Sequence, residues 1–309
     1  MIEGPDGVLL VDKPPGVSST QALAAAKRIL GSRKAGHTGT LDPFATGLLP
    51  LVFGEATKFS RFLLDADKTY QATLRLGATS TTGDPEGTLL PCKPFQGGLP
   101  EIDVVLRELT GLSTQIPPMH SAVRLQGKRL YDLARQGLEV ARSPRSIRID
   151  YLKIVEFFGE KLVISVKCSK GTYVRTLAEA VGERLGCGAY LTDLRRTATG
   201  GFDVSEAVTP DALRDMGMEA SRARLLPVEV LVQSLPKASL GERQAWAVRN
   251  GQEIAVHPDW PVGELAIFGP CGEFIGVGRI AAGRLAAARL MNTNPAQALA
   301  DPRSGRIEP

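Results

Sequence analysis

Few cysteines, few histidines and few aromatic residues set the first limits on this 309-residue chain. Cys92, Cys168, Cys187 and Cys271 lie far apart, and no two of them form a C-x-x-C pair. The histidines are only His37, His120 and His257, so the spacing of a zinc site is absent. P-loop and GxGxxG spacings are missing as well. The sequence therefore calls for no metal, no redox cofactor and no nucleotide. No apolar run approaches the roughly 18 residues of a membrane span. The opening MIEGPDGVLL has neither a basic n-region nor a long apolar stretch, which argues against a secretory signal. Scattered cysteines with no pairing pattern suit a reducing, cytoplasmic compartment.

What is present is ordinary in bulk and uneven in detail. The chain is 43% apolar and 23% charged, which suits a folded globular protein, and its length suggests two domains. The net charge is only +4. Residues 124–148, however, hold Arg124, Lys128, Arg129, Arg135, Arg142, Arg145 and Arg148 against Asp132 and Glu139. That segment alone carries +5, and the rest of the chain sums to −1. A basic segment can track phosphates because each neutralised phosphate releases a counterion. A solvated basic helix and loop would have the same composition.

Local patterns give a mixed α and β reading. DGVLLV (6–11) is a short buried strand. Ser18–Leu30 is a helix, with a capping box from Ser18 to Gln21 and a stop at Gly31. TYQATLRL (69–76) alternates, placing Tyr70, Ala72, Leu74 and Leu76 on one face. Residues 77–98 read as a Gly/Thr/Pro-rich connection. Helices follow at Ile102–Leu109 and Leu130–Gln136. Ile147–Phe158 and Leu162–Cys168 are adjacent strands joined through Gly159-Glu160. Thr172–Leu185 is a helix that stops at Gly186. Helices and strands do not alternate regularly, which points to α+β with a largely antiparallel sheet. Residues 236–290 read as a small β-rich module without a long helical period. The Pro- and Ala-rich stretch 294–309 reads as a disordered tail.

The segment AGHTGTLDPFATGLL (35–49) concentrates polar groups among glycines. Asp42 followed by Pro43 reads most simply as the N-cap and first residue of a helix, and His37 as a loop histidine. Several other segments run in the same order as a known pattern. They are DGVLLVDKPPGVSS (6–19), GEATKF (54–59), DADKTYQATLRLG (65–77), QIPPMHSAVRLQGKRLYDLARQG (115–137), SKGTYVRTLAEAVGERLGCGAYLTDLRR (169–196) and the NGQEI … FIGVGRI … RLM series (250–291). Together with GHTGTLDP they closely resemble the bacterial TruB-family pseudouridine synthases, which modify the T-loop of tRNA.

The resemblance implies an α+β pseudouridine synthase fold: a central, mostly antiparallel mixed sheet flanked by helices, plus a small C-terminal PUA-like domain. It implies a catalytic domain over 1–235, with an RNA-gripping insertion at 113–148, and a PUA-like RNA-binding domain over 236–293. Asp42 matches the catalytic aspartate. Tyr70 matches the tyrosine that packs against the target base, and Arg175 in GTYVR matches the arginine that pairs with the carboxylate. His37, Tyr173 and Leu194 match positions around the everted base, and Lys13-Pro14 read as structural support. Lys58, Arg124, Lys128 and Arg129 are backbone-contact candidates. The implied activity is isomerisation of uridine 55 in the tRNA T-stem-loop by a cytoplasmic monomer, without cofactor, guide RNA or membrane. A guide-RNA-dependent synthase and a tRNA-binding chaperone are the competing readings. The pattern departs at His120, where tyrosine is usual, and at Thr81, where aspartate is usual. Asp84 is retained but is given no catalytic role.

Overall fold

A computed structural model describes residues 4–121, 124–125, 127–138 and 140–292. The chain opens with β1 (Gly7–Lys13), apolar at successive positions and buried along most of its length. Helix α1 (Ser19–Ile29) follows, and its N-terminus carries the expected Ser18–Gln21 capping box. Next come β2 (Ala35–His37), β3 (Thr46–Phe53), a 3₁₀ turn (Gly54–Phe59), α2 (Arg61–Asp65) and β4 (Lys68–Leu76). The stretch read as connection holds a small hairpin of β5 (Ala78–Ser80) and β6 (Leu89–Pro91). It is too short for alternation to register in the sequence.

Helix α3 (Leu99–Glu108) leads to β7 (Gly111–Gln115). Beyond β7 lies a two-stranded ribbon of β8 (Arg124–Leu125) and β9 (Lys128–Arg129), then α4 (Leu130–Arg135). The expected hairpin is β10 (Arg145–Phe158) with β11 (Lys161–Cys168). Helix α5 (Val174–Arg184), β12 (Ala189–Thr199) and β13 (Phe202–Asp203) come next. Helix α6 (Pro210–Ala223), broken at Gly217, ends this part.

These strands form one sheet in the order β1-β3-β12-β4-β11-β10-β7, with β2 beside β3 and β13 beside β12. Every pair is antiparallel except β3 with β12. That parallel contact is only two residues long, Arg195 to Thr46 and Arg196 to Gly47. Gly47 is required there: its φ is 99°, and a Cβ would stand 2.2 Å from the Arg196 carbonyl oxygen. The main core includes Leu51, Leu74, Ile102, Ile164, Leu177 and Val181 and lies between the sheet and helices α1, α3 and α5.

A second sheet is built from β14 (Lys237–Ser239), β15 (Ile254–Ala255), β16 (Gly263–Phe268), β17 (Phe274–Ala281) and β18 (Arg284–Leu290). Its order is β14-β16-β17-β18-β15. It also includes the short helix α7 (Glu242–Arg249), which the reading of a β-rich module without a long helical period did not place. Two turns are too few for a clear helical period. A further apolar cluster joins the two sheets, with Phe59, Leu63 and Val232 packed with Ala266 and Val277. Asp42 caps no helix. Only a turn forms, closed by Ala45 N–H donating to the Asp42 carbonyl, and β3 starts at Thr46. The expected disordered tail at 294–309 falls outside the described residues. No helix among the described residues is long and apolar enough to cross a membrane.

Candidate active site

The loop between β2 and β3 is tied down from several directions. Thr38 is buried, and its N–H donates to the Pro50 carbonyl. The Ser19 hydroxyl donates to the Leu41 carbonyl at 3.0 Å and accepts from the Leu41 N–H at 2.8 Å. Lys13 is wholly buried, and its ammonium donates to the carbonyls of Pro14, Val17 and Pro43 at 2.9, 2.7 and 3.2 Å. The sequence reading of Lys13 as support thus takes physical form. Three carbonyl oxygens satisfy its three donors and pin the turn beside Asp42. Burial nonetheless lowers the Lys13 pKa to about 8.

Asp42 stands at the end of this loop with its side chain 35% exposed. Its carboxylate accepts the Nε of Arg175 at 3.1 Å. Arg175 is 4% exposed and sits in the first turn of α5. Its other nitrogens are all placed. Nη1 meets the Asp84 carboxylate at 2.9 Å and the Thr82 carbonyl at 3.1 Å, and Nη2 donates to the His120 carbonyl at 2.6 Å. Asp84 is buried and accepts in turn from the Thr82 hydroxyl at 2.5 Å and the Glu86 N–H at 3.1 Å. The motif comparison assigns Asp84 no catalytic role. In the structure it anchors the arginine that holds Asp42, and the β5–β6 hairpin exists around it. The retained aspartate in a Gly/Thr-rich turn was the only signal available.

Burial pushes the Asp42 pKa up from the ordinary carboxylate value, and Asp84 adds to the rise. Arg175 opposes both. Glu179, one turn along α5, is likewise raised by burial. Tyr70 emerges from β4 with its hydroxyl pKa pushed up by burial, so the phenol is protonated at neutral pH.

Asp42, Arg175, Tyr70, Tyr173 and Leu194 all line one open cavity of about 260 Å³, together with Lys68 and Arg196. That is below the roughly 300–1,000 Å³ of drug-sized pockets and suits one planar base. Tyr173 is fixed through its backbone, which exchanges hydrogen bonds with the Gln115 side chain at 2.7 and 3.0 Å. Lys68, absent from the sequence reading, is buried in the floor and donates to the carbonyls of Leu63, Leu64 and Ala66. Its position on the core face of an apolar strand was its only signal.

Two expectations are not met by the geometry. His37 ends β2 opposite Leu51 and is not among the lining residues. Lys58 is not presented for a phosphate: it pairs with Glu55 at 2.5 Å and donates to the Leu290 carbonyl and the Asn292 side chain. Its ammonium is spent on joining the first part of the chain to the second sheet. Arg124, Lys128 and Arg129 lie on the β8–β9 ribbon, where Arg124 pairs with Arg129 in register. Arg148, by contrast, is engaged with Asp67 and Asp150.

Three family models match the chain in succession between residues 27 and 291. "TruB family pseudouridylate synthase (N terminal domain)" covers residues 27–174. "tRNA pseudouridylate synthase B C-terminal domain" covers 175–233, and "Pseudouridine synthase II TruB, C-terminal" covers 236–291. The chain is 49% identical over 288 residues to tRNA pseudouridine synthase B of Thiobacillus denitrificans, spanning 93% of this chain and 96% of the relative. It is 47% identical over 293 residues to the protein of the same name from Azoarcus sp., spanning 94% and 97%. Among solved structures it resembles a chain of a Cbf5-Nop10-Gar1 complex (TM-score 0.69, 29% identity, 88% of this chain and 78% of that one). It also resembles a chain of an H/ACA RNP bound to a substrate RNA containing 2′-deoxyuridine (TM-score 0.70, 26% identity, 93% and 85%).

Proposed function

The chain belongs to the TruB family of pseudouridylate synthases, and we propose that it converts uridine 55 of the tRNA T-loop to pseudouridine with Asp42 as the catalytic carboxylate. The observation that carries this reading is the Asp42–Arg175–Asp84 chain at one wall of a base-sized cavity. The reaction breaks the N1–C1′ bond, turns the base and forms C5–C1′, while the C5 proton is lost and N1 gains one. A carboxylate serves as nucleophile or charge stabiliser only when ionised. Arg175 opposes the burial that would keep Asp42 protonated, and its buried anchors fix the carboxylate's direction.

The target base must leave its stack to reach Asp42. Tyr70 on β4 and Leu194 on β12 are neighbours across a rigid sheet, where they can receive it from two sides. Tyr173 closes the wall at the start of α5. The ribbon that carries Arg124, Lys128 and Arg129 extends from the same region and suits the phosphates of the stem. We assign residues 1–235 to catalysis, with 113–148 as the RNA-gripping insertion, and 236–293 to a PUA-like RNA-binding domain. The protein acts as a monomer in the cytoplasm on the isolated T-stem-loop, without a guide RNA. Near-full-length identity to proteins named for tRNA supports this over the guided assemblies, to which identity is much lower. The test is incubation of purified protein with a T-stem-loop RNA alone, read by carbodiimide modification and primer extension. A single modified uridine is expected. No product from the stem-loop, with product appearing only when a guide RNA is added, overturns the stand-alone reading.

A further inference from the structure

Among the described residues, Leu64 is the one large apolar side chain that is both exposed and part of the cavity wall. It lies on helix α2 and is 42% exposed. The two residues before it are packed: Leu63 and Phe62 belong to the apolar cluster that joins the two sheets. Leu64 belongs to none of the apolar clusters. A single exposed leucine is ordinary on a protein surface, but this one is held in an unusual way. Helix α2 has only five residues, too few to keep its shape by its own hydrogen bonds. Its end is fixed by a buried cation instead. Lys68, 7% exposed, donates to the carbonyls of Leu63, Leu64 and Ala66 at 3.2, 2.7 and 2.5 Å. Asp65 meets Lys170 at 2.8 Å, which ties the same turn to the 169–171 stretch of the cavity wall. A buried ammonium is a costly fixture, and what it fixes here is the turn that presents an apolar group at the mouth of the cavity.

We propose that Leu64 is a substrate-contact residue that packs against the base next to the everted uridine. The inference rests on the proposed pseudouridine synthase activity and adds a subsite to it. A base that turns out of its stack leaves the face of its neighbour uncovered. An apolar side chain such as leucine can cover a base face of that kind. Leu64, exposed beside the cavity that takes the everted base, is placed to do so, and the contact removes its remaining apolar surface from water.

The test pairs Leu64→Ala with T-stem-loop RNAs that lack the base on the 5′ or the 3′ side of the target uridine. Affinities are read by filter binding in an Asp42→Asn background, so that the RNA is not converted. On intact RNA, Leu64→Ala should weaken binding about 3- to 10-fold, the share of a leucine's burial still outstanding at its present exposure. On one of the two abasic RNAs the same substitution should change affinity by less than about twofold, the scatter of independent sites. Val104→Ala on α3, comparably exposed but not in the cavity wall, should leave affinity unchanged. Melting of the Leu64→Ala protein should shift little, as for most surface substitutions. Full affinity after Leu64→Ala, or a loss of the same size on intact and both abasic RNAs, overturns the proposal. Conversion is followed separately with the wild-type protein. No product there counts against the proposed function, while product together with an unchanged Leu64→Ala affinity counts against this contact alone.

Discussion

Asp42 has opposite consequences for activity and stability. Burial raises its pKa, so the native state holds this proton to a higher pH than the unfolded chain does. Stability from this group therefore falls as pH rises through the window between the ordinary and the raised value, and the cost is present in full above the raised value. Activity runs the other way, because only the ionised form can act. We expect the single-turnover rate to rise with pH through a midpoint above the ordinary carboxylate value of about 4, which a pH–rate profile will show. Asp42→Asn should lose all product and keep RNA binding, as read by filter binding and primer extension. Asp84→Ala breaks a buried pair from one side and leaves Arg175 under-compensated. It should cost about 3–5 kcal/mol in a urea melt and slow the reaction with little effect on RNA affinity.

Each element that reaches the site is held at its base by the sheet. Tyr70 and Leu194 point from paired strands, and Arg175 projects from the first turn of a helix whose other buried side chains include Leu177, Ala178 and Val181. The β8–β9 ribbon is the exception, since it stands outside the main sheet. If its three cations contact tRNA phosphates, as proposed above, the salt dependence of binding will report them. Replacing Arg124, Lys128 and Arg129 together by glutamine should flatten the plot of log affinity against log salt by about two to three units. Catalysis at saturating enzyme should survive. An unchanged slope would return the segment to a solvated basic surface.

At the scale of the whole molecule, the second sheet is packed onto the first rather than tethered to it. Phe59 and Phe274 meet edge to face at 5.3 Å, within the apolar cluster that spans both sheets. Polar contacts rim this seam: Arg61 and Arg279 share Glu264, and Glu55 accepts the Asn292 N–H. Removing the residues after 235 would expose this face. We expect such a truncation to melt at a clearly lower temperature in calorimetry, over and above any loss of RNA affinity. Phe59→Ala should cost about 3–5 kcal/mol in the intact chain, the usual price of deleting a buried ring.

Much of this was legible from the chain alone, because the signals were local or carried by motif. The alternation of 69–76, the Ser18 capping box and the β10–β11 turn need only neighbouring residues to be recognised. Asp42, Tyr70 and Arg175 were found through their segments. The tertiary structure decided what depends on distant partners. It made Asp84 the anchor of Arg175, turned Lys58 from a phosphate contact into a tie between two sheets, and left His37 off the cavity wall. It also brought the carbonyls of Leu48 and Gly39 to the buried guanidinium of Arg196. Sequence patterns report which face of an element is apolar. They carry no record of which buried polar atom will meet which, because that pairing is fixed only when strands far apart in the chain come into register.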